Sequence, residues 1–252
     1  MTSGRKSRAR RQAPPPPVGK HRQGISQRTW LAAGGVVGAA ALVIVLVVVL
    51  TRGGGGPSLP LRPLSTLGTL QPASMPQKPG PEGIPVPTAT PLAAVGFANG
   101  GRPVDGIECN AGEQVAYHIH ARLTVFDHGK PLQIPYGIGV DPPRNVQQTP
   151  AGPFVVAGQC FYWLHTHAAD GIIHVESPTK RTYTLGNFFD VWHERLGPSR
   201  VGPLAGPVTA LYDGKVYGGN PRTIPLLPHA QIQLEVGRPL VQPVSISNWN
   251  GL

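Results

Sequence analysis

Methionine and cysteine are nearly absent: the 252 residues hold two of each. The methionines, Met1 and Met75, fall outside the part of the chain expected to fold, so a methionine-lined copper(I) site is excluded. Cys109 and Cys160 form no CxxC pair and no cysteine-rich zinc pattern. An even pair in an oxidising compartment usually forms a disulfide, and that leaves no thiolate for a blue-copper centre. No nucleophile elbow, phosphate loop or dinucleotide fingerprint occurs, so the sequence names no substrate. There is no internal repeat of useful length. Acidic residues are scarce, 12 against 22 Lys and Arg, and residues 1–29 contain none.

The formal charge of +10 is concentrated in that acid-free tail. Residues 1–29 carry eight Lys or Arg, and the rest of the chain nets only +2. Residues 30–50 (WLAAGGVVGAAALVIVLVVVL) are 21 residues without a charge. At a rise of about 1.5 Å per residue they reach the ~30 Å of a hydrocarbon core, longer than the apolar region of a cleaved signal peptide. This predicts a single transmembrane helix with a basic cytoplasmic tail and the remainder outside the cytoplasm, in the cell membrane. The expected partners are then the lipid bilayer and anionic lipid head groups near the tail, with no nucleic acid. Residues 51–103 contain eleven prolines and a GGGG run, which reads as an extended linker.

A folded domain is predicted over 104–240, followed by a C-terminal tail over 241–252. Its pattern is mostly β: an antiparallel sandwich or barrel-like domain with one packed helix. VAYHIHARLTVF (115–126) alternates, placing Val115, Tyr117, Ile119, Ala121, Leu123 and Val125 on a core face. Turns are expected at Asp127–Lys130 and at Asp213-Gly214. In TLGNFFDVWHERLG, Leu185, Phe188, Phe189, Trp192 and Leu196 make one helical stripe, with Thr184 as cap and Gly197-Pro198 as stop. His193 is assigned to the polar side of this helix and His128 to a turn. Gln231, Gln233 and Glu235 read as solvent-facing, with His229 beside them.

Five of the nine histidines stand in two short stretches, YHIH and HTHAADGIIH. His118 and His120 share the strand face opposite the core face. His165 and His167 are again two apart, and His174 shares a face with Glu176. Imidazoles at i and i+2 on a strand are about 6.5–7 Å apart at Cα, close enough for both rings to reach one ion. A turn through AADG would return His174 toward His167. The set His118, His120, His165, His167 and His174 is therefore the predicted metal site. All-imidazole donors suit zinc or copper(II). Glu176 or Asp170 would orient a ligand or act as a general base. The competing reading is a solvated strand face rich in histidine.

The segments YHIHARLTVFDHGKPLQIP, CFYWLHTHAADGIIHVESP and TLGNFFDVW resemble an uncharacterised group of membrane-anchored bacterial and archaeal extracytoplasmic proteins. The resemblance covers about residues 109–196, and the HTH-x6-H block is its most specific part. It implies no established activity. Cupins also carry HxH, but Leu123 and Thr124 stand where their glutamate belongs. Alpha carbonic anhydrases pair HxH with a third histidine, but their flanking Gln and Trp-Gly are missing here.

Three functions follow as expectations: a membrane-anchored domain that binds a divalent metal for handling or sensing, a metalloenzyme using metal-bound water with Glu176 or Asp170 as base, or a structural envelope module without metal.

Overall fold

The computed structural model describes residues 58–96 and 99–252. The alternating run around 115–126 forms its longest strand. In chain order the strands of the main sheet are β1 (Leu61–Arg62), β2 (Tyr117–Asp127), β3 (Lys130–Leu132), β4 (Leu164–His165), β5 (Ile172–Ser177), β6 (Val208–Tyr212), β7 (Lys215–Tyr217) and β8 (Gln231–Val236). They lie in the order β1-β7-β6-β8-β2-β5-β4, and β3 pairs with the far end of β2. Neighbours are antiparallel except β8 and β2, which run parallel. The mostly-β expectation holds, but the sheet stays open, so the barrel alternative is corrected. Small two- and three-stranded sheets surround it.

Local chemistry explains the hairpins. At the β2–β3 turn His128 has φ 48° and Gly129 φ 76°; at the β6–β7 turn Asp213 has φ 47° and Gly214 φ 71°. Two consecutive left-handed residues make the turn whose twist matches the flanking strands.

One sheet face holds the core. Ala121, Leu123 and Val125 of β2 pack with Ile173 and Val175 of β5, with Ile232 and Leu234 of β8, and with helix α1 (Leu185–Trp192). Phe188 and Phe189 of α1 are fully buried, each contributing about 1.5–3 kcal/mol by removal from water. Thr184 caps α1 in a capping box with Asn187. The helix ends at His193, in the left-handed region, before the expected Gly197-Pro198. Leu196 is still buried, though no longer helical. Val115 lies beyond the end of β2 and is exposed, unlike the rest of its expected face.

Two segments that the sequence did not mark as folded pack onto the sheet. Residues 58–96 are not a free tether. Leu61 pairs with Tyr217, and Ile84, Val86 and Leu92 are buried. The Leu92 amide donates to the Gln133 carbonyl, and the Gln133 amide to the Thr90 carbonyl, both at 2.9 Å. The expected tail 241–252 is fastened too, by side chains of β8. Glu235 accepts from the Val241 amide at 2.8 Å, Gln233 from Val244 at 2.8 Å and Gln231 from Ile246 at 2.7 Å. The supposedly solvent-facing side chains thus accept from backbone amides of this tail. Proline disfavours a ladder of backbone bonds but does not prevent an extended segment from packing onto a sheet.

The membrane expectation is corrected as well. Among the described residues no helix is long and apolar enough to cross a membrane, and α1 has eight residues. Residues 1–29 and 30–50, where the basic tail and spanning helix were expected, lie outside the described residues. Single-pass anchoring, the orientation and the cell-membrane location drawn from them therefore have no spanning helix behind them and are withdrawn. Cys109 and Cys160 do form a disulfide, with Cα atoms 5.4 Å apart. Such bridges belong to oxidising compartments.

Candidate metal centre

The register of three strands gathers the histidines. His120 on β2 lies directly opposite His174 on β5, which lies opposite His165 on β4; beside this row His118 lies opposite Glu176. Residues directly opposite across antiparallel strands point to the same face. The expected turn does return His174 toward His167, but the residue directly opposite it is His165, and His167 follows just after β4. Gly171, at φ 85°, closes the turn between β4 and β5, and a Cβ there would collide with the Leu123 carbonyl.

The rings converge. Nε2 of His118 and Nε2 of His120 are 3.0 Å apart, and Nε2 of His120 is 3.1 Å from Nδ1 of His174. Nε2 of His165 and Nε2 of His167 are 3.1 Å apart. Glu176 reaches both groups: Oε1 is 3.0 Å from Nε2 of His118, and Oε2 is 3.9 Å from Nε2 of His165. Donor atoms of His118, His120, His174 and Glu176 lie within 4.8 Å of one another, as do those of His165, His167, His174 and Glu176. Around a tetrahedral zinc with bonds of about 2.0–2.1 Å the donors are about 3.3 Å apart, and cis donors of a square-planar ion about 2.9 Å. The observed spacings fall in that range. These clusters could hold a metal ion. A third cluster, Cys109, Cys160 and Asp141, is closed by the disulfide.

The outer nitrogens decide which inner nitrogens are bare. Nδ1 of His165 donates to the Tyr162 carbonyl at 2.8 Å, and Nδ1 of His167 to the Val155 carbonyl at 2.6 Å. A carbonyl only accepts, so each Nδ1 carries the proton and each Nε2 of the neutral ring presents a lone pair. Two lone pairs 3.1 Å apart repel unless a positive charge lies between them. That charge is either a proton, held with help from Glu113, whose Oε1 is 3.3 Å from Nε2 of His167, or a metal ion. In His174 Nε2 donates to Glu82 at 2.8 Å and Nδ1 faces inward, toward Glu176. A carboxylate or carbonyl behind each ligating imidazole is the usual outer support of a metal site.

Electrostatics separate the group. Burial pushes His165 well below the ordinary histidine value, and burial with the neighbouring imidazoles brings His120 down to about 3. Both are therefore neutral, the ligand form, at pH 7. Burial opposes charge on His174 too, but hydrogen bonds to Glu176 and Glu82 outweigh it and push it up to about 9. Burial works against the Glu82 carboxylate, yet His174 holds it below its usual value. Burial and the Glu82 charge raise Asp170 well above its usual value. His120, His165, His167, His174 and Glu176 are all buried, which rules out a solvated strand face for them; only His118 is exposed, at 39% of its side chain.

The donors open onto a cleft of about 470 Å³ whose walls include Phe154, Val156 and Leu252. Glu176 lines it as a potential ligand. Asp170 does not reach it; its side chain accepts from the Ile172 amide at 3.0 Å. Of the two residues expected as a general base, Glu176 lines the cleft and Asp170 does not. Sequence reasoning missed Glu82 and Glu113. Glu82 is the only acidic residue in the first 103, set between Pro81 and Gly83 in an apolar, proline-rich stretch, and that isolation was the available signal. Glu113 carries none. His229 stacks on Trp249 and lines a pocket beside His118 and His120, whereas His128 pairs with Asp127 and His193 contacts Asn99. The likeness to the uncharacterised extracytoplasmic group rests on the quoted motifs alone: no family model, no curated protein and no solved structure matches this chain.

Proposed function

We propose that this chain binds a divalent cation, zinc or copper(II), through His118, His120, His165, His167 and His174 with Glu176, in metal handling or sensing. The observation that carries the reading is the pair of Nε2 atoms of His165 and His167, 3.1 Å apart with both Nδ1 hydrogens committed to backbone carbonyls. The open cleft favours an exchangeable ion over a sealed structural one. The same openness supports a second reading, an ion-bound water acting on a small substrate. Calorimetric titration of the full chain at pH 7 tests the proposal. Zinc or copper(II) should bind at micromolar concentration or tighter, and His167→Ala should weaken binding at least tenfold while His193→Ala leaves it unchanged. Absence of micromolar binding by both ions overturns it.

A further inference from the structure

The cluster contains more donors than one ion can use, and they fall into two groups that share His174 and Glu176. His174 offers a single inward atom, Nδ1, because its Nε2 is held by Glu82. That atom is 3.1 Å from Nε2 of His120, so His174 belongs with His118 and His120. On the other side His165 and His167 face each other, and Oε1 of Glu113 is 3.3 Å from Nε2 of His167. Glu176 stands between the groups. Its Oε1 is 3.0 Å from His118 and 3.4 Å from Nδ1 of His174, whereas its Oε2 is turned toward His165. That Oε2 is buried and has no hydrogen-bond partner, although an uncompensated buried carboxylate oxygen is costly.

We infer that the site takes two divalent cations bridged by the Glu176 carboxylate; this rests on the metal-binding reading above. One ion takes His118, His120, His174 and Oε1 of Glu176. The other takes His165, His167, Glu113 and Oε2 of Glu176. Each thereby has four donors from the chain, and every imidazole is used once. A carboxylate whose two oxygens serve different ions is a natural spacer for a pair about 3.5–4 Å apart. Charge agrees with this count. Glu176, Glu113 and Glu82 supply three negative charges around two dications, which leaves one positive charge at the cleft. The ligand class that completes the centre is therefore a small anion, such as hydroxide or an oxyanion. Arg122, buried on the same side of the sheet, adds positive charge there and favours that anion further.

Elemental analysis of the full chain after equilibrium dialysis against zinc(II), repeated with copper(II), reads the stoichiometry. The wild-type chain should hold two ions. His118→Ala removes an exposed ligand of the first ion and Glu113→Gln an exposed ligand of the second, so each should hold one under the same conditions. Glu176→Gln should weaken both binding steps at least tenfold, whereas His193→Ala should keep two ions. A single ion in the saturated wild type overturns the two-ion centre and leaves the metal-binding reading standing. Two ions retained by His118→Ala, or only one step weakened by Glu176→Gln, also overturn it. No bound ion in the wild type overturns both.

Discussion

Glu82→Gln probes the link between the proline-rich segment and the metal centre. The wild-type carboxylate accepts from Nε2 of His174 at 2.8 Å in a nearly closed setting, with 6% of either side chain exposed. Hydrogen bonds to charged groups contribute about 1.5–3 kcal/mol, and loss of an outer partner of a ligating histidine typically costs 10–100-fold in metal affinity. Glutamine still accepts a hydrogen bond but lacks the charge, so a loss of about tenfold is expected, near 1.4 kcal/mol. The pH dependence should move as well. His174 is pushed up to about 9, so near neutral pH the metal must displace its proton. Wild-type affinity should therefore keep rising between pH 7 and about 9. In the variant the proton is held less tightly, and the rise should level off at lower pH. Stability of the metal-free protein gives the complementary sign. A folded-state value above the unfolded value of about 6.5 contributes stability that is fully present below pH 6.5 and is lost as pH rises through about 9. Glu82→Gln should thus destabilise the metal-free chain below that window and much less above it. Calorimetric titrations and urea melts at pH 6, 7, 8 and 9 read both effects. Unchanged affinity together with an unchanged pH profile would refute the assigned role of Glu82.

Reduction of Cys109–Cys160, which closes a separation of 51 residues, should cost up to about 4 kcal/mol in the loop-entropy model and lower the melting temperature, read by calorimetry with and without reductant. Gln233→Ala removes the acceptor for the Val244 amide and should cost about 1–3 kcal/mol in urea unfolding, with faster amide exchange over 241–246. Phe188→Ala empties a fully buried core position and should cost about 3–5 kcal/mol in the same assay. Asp190→Ala breaks a part-exposed pair with Arg222 and should cost less than about 1 kcal/mol.

Elements whose determinants are local were legible in the sequence. The alternation of Ala121, Leu123 and Val125, the two Asp/His-Gly hairpins, and the Phe188/Phe189/Trp192 stripe each follow from a repeat of two or about 3.6 residues, and each appears in the structure. The cofacial placement of His118 with His120, and of His174 with Glu176, was legible for the same reason. What failed depended on contacts distant in sequence. No local rule opposes His165 rather than His167 to His174, because the register is set by the turn at Gly171. The packing of Ile84, Val86 and Leu92 was hidden by the prolines around them, since composition averages over a segment whereas burial depends on single side chains. Glu82 lies 92 positions from its partner His174, and only the closed fold joins them. Gln231, Gln233 and Glu235 alternate as surface residues do, yet their amide and carboxylate groups bind backbone.

Nitrogen-15 NMR of the histidine rings, recorded on the full chain before and after addition of zinc, tests the central claim most directly because it reports each ring nitrogen separately. Metal binding should leave protons on Nδ1 of His165 and His167 and on Nε2 of His174, and should move Nε2 of the first two and Nδ1 of the third to values of metal-bound nitrogen. Ring resonances of these three histidines that stay unchanged with excess zinc would contradict the account.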